Sequence, residues 1–311
     1  MAKILITESV HPIGPELLTA AGHTVVYADR DMDIIRREIV DADAVLVRII
    51  ELPGSLLATA KNLKIVSKHG VGYDNIDLDY CKSHGIAVTI TPNANSLSVA
   101  EHAFTLMLTL AKNIIPVSNE YRTVGFAAKN HAPGIEMTGK TLGLIGMGRI
   151  GKHILHMCRD GLDMHVIVYD PYISEVPEGV EKVDDLSELL RRADVVTLHC
   201  LLTDETRKLI DPERLALMKP TALLINCARG PIVDEAALIE ALENGRLAGA
   251  GLDVTDPEPV APDSPLFKLP NVIVTPHYAP TTVESATRVS KIAAENINAV
   301  LAGQEPVGRI V

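Results

Sequence analysis

The sequence predicts an α/β protein made of two doubly wound lobes, each built on a parallel sheet. Three observations carry that prediction. Short β-branched runs alternate with helical patterns along most of the chain, as they do where crossover helices join parallel strands. A glycine turn in mid-chain, Gly146-Met147-Gly148-Arg149-Ile150-Gly151, links an apolar run to a helical one, so a second α/β unit opens there. Aromatic residues make up 3% of the chain and Trp is absent, which leaves Leu, Ile, Val and Ala to fill the cores, a composition suited to strands buried on both faces.

A chain of 311 residues is long enough for two domains with separate cores. With 47% hydrophobic and 22% charged residues it has the composition of a globular protein. The formal charge of −11 argues against nucleic acid or an anionic membrane as partner, so an anionic ligand must be met by local cations. Cys81, Cys158, Cys200 and Cys227 are scattered without a C-x-x-C pair, so neither a disulfide framework nor a metal site is expected, and a reducing cytoplasm fits. The apolar run at residues 1–7 is too short for a signal peptide and reads as a first strand. The run at 103–111 is too short to span a bilayer.

In chain order, strands are expected at residues 3–7, 24–27, 44–49, 64–67 and 86–90, with helices at 16–21, 34–40 and 56–61 between them. Pro92-Asn93-Ala94-Asn95 breaks this pattern. Ser96 or Ser98 then caps one long helix from about Val99 towards Arg122, apolar on more than one face, either buried within the subunit or shared with a second one. After Gly139 come strands at 142–145, 166–169, 195–198, 223–226, 249–254 and 272–275. Helices are expected after Gly148 to about Cys158, at 186–191, at 234–242 and at 283–301.

Each glycine of the mid-chain turn has a physical task. Gly146 permits the tight turn, Gly148 admits a pyrophosphate to the backbone, and Gly151 lets the helix pack close to the strand. Asp170 ends the next apolar run at the distance where a carboxylate binds a ribose 2′-hydroxyl. An acid there repels a 2′-phosphate and no arginine follows closely, so NAD is expected rather than NADP.

Three reactive side chains lie just past expected strand ends: Arg229, Glu258 and His277. Carboxyl ends of parallel strands are where ligands gather. The Arg229 guanidinium offers a fork for a carboxylate and the adjoining carbonyl oxygen of a 2-oxo acid. His277 would protonate that oxygen as hydride arrives, with Glu258 favouring the protonated ring. His199 also ends a strand and reads as lining the nicotinamide pocket, whereas His102 reads as a packed helical residue. In residues 68–77 two glycines follow a strand and could present amides to an anion, or form a plain turn capped by Asp74 or Asn75. Arg48 could meet a second anionic group or be a solvated surface arginine.

With Gly146-x-Gly148-x-x-Gly151, Asp170, Asn226-x-Ala228-Arg229-Gly230, Asp253 with Glu258-Pro259, and Thr275-Pro276-His277 in this order, the chain resembles the D-isomer-specific 2-hydroxyacid dehydrogenases over nearly its whole length. The resemblance implies a flavodoxin-like substrate lobe from residues 1–98 and 286–311. Between them it implies a Rossmann NAD-binding lobe, 99–285, and a homodimer built around the helix near 99–122. It also implies an Arg229, Glu258, His277 triad, carboxylate binding by the Val71 and Gly72 amides, and D stereochemistry. Carried onto matching positions, it places Arg149, Ile150, His199, Cys200, Leu201, Thr206, Cys227, Ala228, Arg229, Asp253, His277 and Ala279 at the cofactor as well. Members that oxidise formate carry glutamine where Glu258 stands, which disfavours that branch. Many phosphoglycerate dehydrogenases have a further regulatory domain, which this sequence is expected to lack. Ile49 and Ile50 follow Arg48 where such relatives usually show small hydroxyl residues. Leu201-Leu202 replaces the family's usual Pro-Leu, and Pro280 stands where glycine is common.

The function expected is hydride transfer between NADH and a small 2-oxo acid such as hydroxypyruvate, glyoxylate or pyruvate, or phosphohydroxypyruvate. The alternatives are an NADH-sensing protein of the corepressor type and an enzyme using an S-adenosyl ligand, for which nothing else in the chain speaks.

Overall fold

The computed structural model describes residues 1–311. They divide into two compact units, Met1–Asn95 with Pro280–Val311, and Ser96–Ala279. Ser96 and Ser98 sit in the first turn of a helix that packs in the second unit, so the first division falls where that helix begins.

Unit 1 holds five parallel strands, β1 (Lys3–Ile6), β2 (Thr24–Tyr27), β3 (Ala44–Val47), β4 (Ile65–Lys68) and β5 (Ala87–Thr89), in the order β2-β1-β3-β4-β5. This is the flavodoxin-like doubly wound order. Side chains alternate across the sheet with period two, so β1 sends Leu5 to one core and Ile4 and Ile6 to the other. The Leu5 side packs against α2 (Met32–Glu38), α3 (Gly54–Leu57) and α4 (Leu78–Ser83) through Ile35, Leu57 and Cys81. The opposite side is closed by Leu18 of α1 (Ile13–Ala20) and by Ala293 and Ile297 of the last helix, Val283–Leu301.

Unit 2 holds seven strands: β6 (Thr141–Ile145), β7 (His165–Tyr169), β8 (Val180–Lys182), β9 (Val195–Leu198), β10 (Leu223–Asn226), β11 (Gly249–Leu252) and β12 (Val272–Val274). All pair in parallel, in the order β12-β11-β10-β9-β6-β7-β8. The chain winds outward from β6 to β8, then returns to the other side of β6 with β9. The winding direction therefore switches between β6 and β9, where open α/β sheets form a ligand crevice at their carboxyl edge. Helices α5 (Ser96–Ala111) and α7 (Arg149–Leu162) cover one face through Leu106, Met107, Ile154 and Leu155. Helices α8 (Leu186–Arg192), α9 (Pro212–Leu215) and α10 (Glu235–Glu243) cover the other through Leu189, Leu215 and Leu238.

The single long helix expected near 99–122 is two helices. The first, α5, starts at Ser96 and ends at Ala111, and a second, α6, runs over Ile114–Val124. Between them Asn113 takes a left-handed φ of 52°. Pro116 supplies the reason, because inside a continuous helix its ring would strike the carbonyl four residues back. The short β8 and α9 were not expected. The strand expected at 249–254 stops at Leu252, where Asp253 begins a loop.

Candidate active site

The glycine turn lies at the carboxyl end of β6, at the switch point of unit 2. Gly146 adopts φ 90°, and a Cβ there would come within 2.8 Å of the Cys200 backbone nitrogen. At Gly151 a Cβ would lie 2.3 Å from the Gly146 carbonyl oxygen, so α7 can start against the turn because this residue has no side chain. Gly148 is different: it is exposed, its φ of −72° is ordinary, and a Cβ would meet nothing within 4 Å. The fold does not require glycine there, whereas a phosphate seated on the first amides of α7 does, and so the turn fits a dinucleotide. Arg149 is exposed beside it and Ile150 packs partly against the core.

Asp170 follows β7. One carboxylate oxygen accepts the Met147 amide at 2.9 Å and the other the Tyr172 amide at 3.0 Å, so this acid braces the glycine turn as well as standing at its rim. His199, after β9, sets Nε2 2.8 Å from the Thr197 hydroxyl, while Nδ1 is buried with no hydrogen-bond partner. Burial pushes its pKa down to about 3, so the ring is neutral at physiological pH. In the loop that follows, the Thr206 hydroxyl donates to the Leu201 carbonyl at 2.6 Å, leaving Leu201 63% exposed and Cys200 half-buried.

The reactive candidates follow three adjacent strands, β10, β11 and β12. Asn226, fully buried at the end of an otherwise apolar strand, accepts the Ala228 amide at 3.0 Å and donates to the Arg229 carbonyl at 2.9 Å. This fixes the loop that carries Arg229, whose Nη1 donates to the Ala228 carbonyl at 2.8 Å. Gly230 lets that loop meet the next one, since a Cβ there would fall 1.9 Å from the Thr255 carbonyl oxygen. The second loop presents Glu258, whose Oε1 lies 2.7 Å from His277 Nδ1. Nδ1 facing a carboxylate carries the proton, which leaves Nε2 as the nitrogen available for exchange. Both side chains are about one-third exposed.

His277 itself sits at φ 53°, a left-handed backbone that a non-glycine residue adopts only when its surroundings hold it. Its amide donates to the Asp253 carbonyl at 2.8 Å. The Asp253 carboxylate takes the Thr275 hydroxyl at 2.5 Å and the amides of Tyr278 and Ala279 at 2.7 and 2.9 Å. Three residues expected at the cofactor are thus interior ones: Asp253, Ala279 and Cys227 are 1%, 3% and 8% exposed. The loops are held by Asn226, Gly230 and Thr275, which the sequence shows only as motif residues without a role, and by His102, expected as a packed helical residue. A lone polar residue closing a buried apolar strand was the available signal for Asn226.

In unit 1, Arg48 follows β3 and the 68–77 loop follows β4, its neighbour in the sheet. Glu8, 1% exposed, accepts the amides of Arg48 and Ile49 at 2.7 and 3.0 Å. Lys68, 7% exposed, donates to the Arg48 carbonyl and to Asn75 Oδ1, and Asn75 donates to the Ile50 carbonyl at 2.7 Å. The Arg48 side chain reaches the Ser9 carbonyl at 3.1 Å. These bonds clip together the two loops that carry Arg48, Val71 and Gly72. His69 beside them has a buried Nε2 with no hydrogen-bond partner. Burial, then the charge of Arg48, push its pKa down to about 3.

A doubly wound sheet with a glycine turn that fits a dinucleotide at its switch point, an acid after the next strand and a histidine–carboxylate pair at the same edge has the features of a nucleotide-dependent α/β protein. Residues 104–279 match the family model for the D-isomer specific 2-hydroxyacid dehydrogenase, NAD binding domain. The D-3-phosphoglycerate dehydrogenase of Methanocaldococcus jannaschii is 42% identical over 308 residues, covering 98% of this chain and 58% of that protein. The glyoxylate reductase of Thermofilum pendens is 38% identical over 319 residues, covering 98% of this chain and 93% of that one. The crystal structure of D-lactate dehydrogenase from Aquifex aeolicus, complexed with NAD and lactic acid, superposes with a TM-score of 0.87 at 33% identity, covering 96% of each chain. The chain belongs to the D-isomer specific 2-hydroxyacid dehydrogenase family, a family of enzymes that use a nicotinamide cofactor. It spans little more than half the length of several D-3-phosphoglycerate dehydrogenases that it matches.

Proposed function

We propose that the protein reduces a small 2-oxo acid to the D-2-hydroxy acid with NADH. The observation that carries this reading is the 2.7 Å pair of Glu258 and His277, set on the strand edge that also holds Arg229 and the glycine turn. Gly146, Gly148, Gly151 and Asp170 are proposed to hold NAD, with the pyrophosphate on the first amides of α7 and the adenosine ribose on Asp170. Exposed Arg149 and the 199–206 loop flank it. NADH, when bound, supplies the hydride. Arg229 grips the carboxylate and carbonyl oxygen of the acid and so orients the carbonyl carbon. His277 gives its Nε2 proton to the carbonyl oxygen, while Glu258 keeps the ring in place and balances the positive charge of the doubly protonated state. In the reverse direction Nε2 takes the hydroxyl proton.

Unit 1 offers a second group of donors, the amides of Val71 and Gly72 with Arg48, which we propose also bind substrate anions. The names of two relatives, a D-3-phosphoglycerate dehydrogenase and a glyoxylate reductase, frame the choice between a phosphorylated and a small acid. Ile49 and Ile50 beside Arg48 favour the small one. We also propose a homodimer through α6, because Ile114, Ile115, Tyr121 and Val124 are 45–59% exposed and no residue of that helix is buried.

The test is the fall in NADH absorbance with hydroxypyruvate, glyoxylate, pyruvate and phosphohydroxypyruvate, and the chirality of the product. Turnover of a small acid to its D isomer is the expected result. Tight NADH binding with no turnover of any of the four would overturn it.

A further inference from the structure

His102 stands on α5, with its side chain 17% exposed and Nε2 3.0 Å from the Thr275 hydroxyl and 3.5 Å from Asp253 Oδ1. The single hydroxyl proton of Thr275 goes to Asp253, so its oxygen accepts, and His102 must donate from Nε2. The chain of donors then runs from His102 to Thr275 to Asp253. Asp253 in turn binds the amides of Tyr278 and Ala279, and its carbonyl takes the amide of His277. Donors in series strengthen one another in a buried setting. The turn they hold is the one in which His277 adopts its left-handed backbone.

We propose that His102 is a positioning residue for His277, acting through the Thr275 hydroxyl and the Asp253 carboxylate. The proposal rests on the reading of His277 as the proton carrier. Helix α5 is 16 residues long and anchored in the core by Val99, Ala103 and Leu106, so it gives the turn a rigid lateral brace. Without that donor the Thr275 hydroxyl is released to rotate, its bond to Asp253 weakens, and the ring loses the angle that brings Nδ1 to Glu258. The ring of Tyr278, edge-on to His102 at 6.2 Å, makes simple packing the rival explanation.

Three variants separate the two. His102→Gln returns a donor nitrogen near the place of Nε2, His102→Leu fills the space without one, and Thr275→Val removes the hydroxyl at constant shape. His102→Leu and Thr275→Val are each expected to lower kcat about tenfold to a hundredfold, the range for one lost hydrogen bond to a charged network, with the NADH Kd within about twofold of wild type. His102→Gln is expected to restore most of that loss. In proton NMR of the unliganded protein, the low-field Nδ1 proton of His277 should shift or broaden in the Leu and Val variants and return in the Gln variant. An unchanged kcat and an unchanged Nδ1 signal in His102→Leu would overturn the proposal. Equal losses in the Gln and Leu variants would overturn it in favour of packing. If the wild type turns over no 2-oxo acid, the functional reading fails, and the Nδ1 signal still decides this proposal because it needs no turnover.

Discussion

Gly148 and Gly151 stand three residues apart in one turn, yet their substitution should fail in different ways. A Cβ at Gly151 meets the Gly146 carbonyl oxygen at 2.3 Å, so Gly151→Ala is expected to cost about 1–3 kcal/mol of stability, read as a lower urea midpoint. A Cβ at Gly148 meets nothing, so Gly148→Ala should leave the midpoint in place and weaken NADH binding at least tenfold in titration. Equal stability loss in both would show that Gly148 serves the fold. Among the reactive residues, His277→Asn is expected to lower kcat by about 10²–10⁴, with little change in NADH affinity. Asp170→Ala should raise the NADPH-to-NADH ratio of kcat/KM about tenfold or more, and an unchanged ratio would remove Asp170 from the ribose. Because Asp170 also holds the Met147 amide, that variant should be somewhat less stable than wild type.

At the scale of elements, what could be read in the sequence followed from local periodicity. The β-branched runs gave every strand of both sheets except the short β8, and the last helix begins and ends where its pattern says, at Val283 and Leu301. Gly146 and Gly151 could be read as a tight strand-to-helix turn because those two positions answer to backbone geometry. The break at Asn113 was missed since apolar residues continue through it, though Pro116 already forbade an unbroken helix. His102 reads in the sequence only as a packed helical residue, because its partners, Thr275 and Asp253, lie more than 150 residues away and meet it through tertiary packing. Helix α6 also carries a prediction. With Ile115 45% exposed and Phe126, just beyond it, 73% exposed, the pair Ile115→Asp and Phe126→Asp should convert a dimer into monomers in light scattering. An unaltered mass would overturn the proposed dimer through α6.

For the molecule as a whole, two buried neutral histidines contribute to its response to acid. Burial holds both His69, in unit 1, and His199, in unit 2, at a pKa of about 3. In an unfolded chain each titrates near pH 6.5. Above that pH neither state binds the proton and stability is unaffected. Between about 6.5 and 3 the unfolded chain binds it and the folded one does not, so stability falls as pH falls. The loss is at most about 1.4 kcal/mol per pH unit for each ring. His69→Asn and His199→Asn should therefore flatten the dependence of the urea midpoint on pH between 6.5 and 4, each in its own unit. An unaltered slope would mean that both rings already reach solvent.

The last helix supplies Ala293 and Ile297 to the core that Ile4 and Ile6 of β1 begin, and this has a consequence during synthesis. Unit 2 lies wholly between the two segments of unit 1, so its residues emerge from the ribosome as one uninterrupted stretch and can fold as they appear. The first 95 residues must instead wait, with one face of their sheet uncovered, while residues 96–279 are made, roughly ten to forty seconds at ordinary elongation rates. Of the two units, the one begun first is thus the one finished last. During that interval the open face beside β1 is the surface a chaperone or an aggregate would meet first.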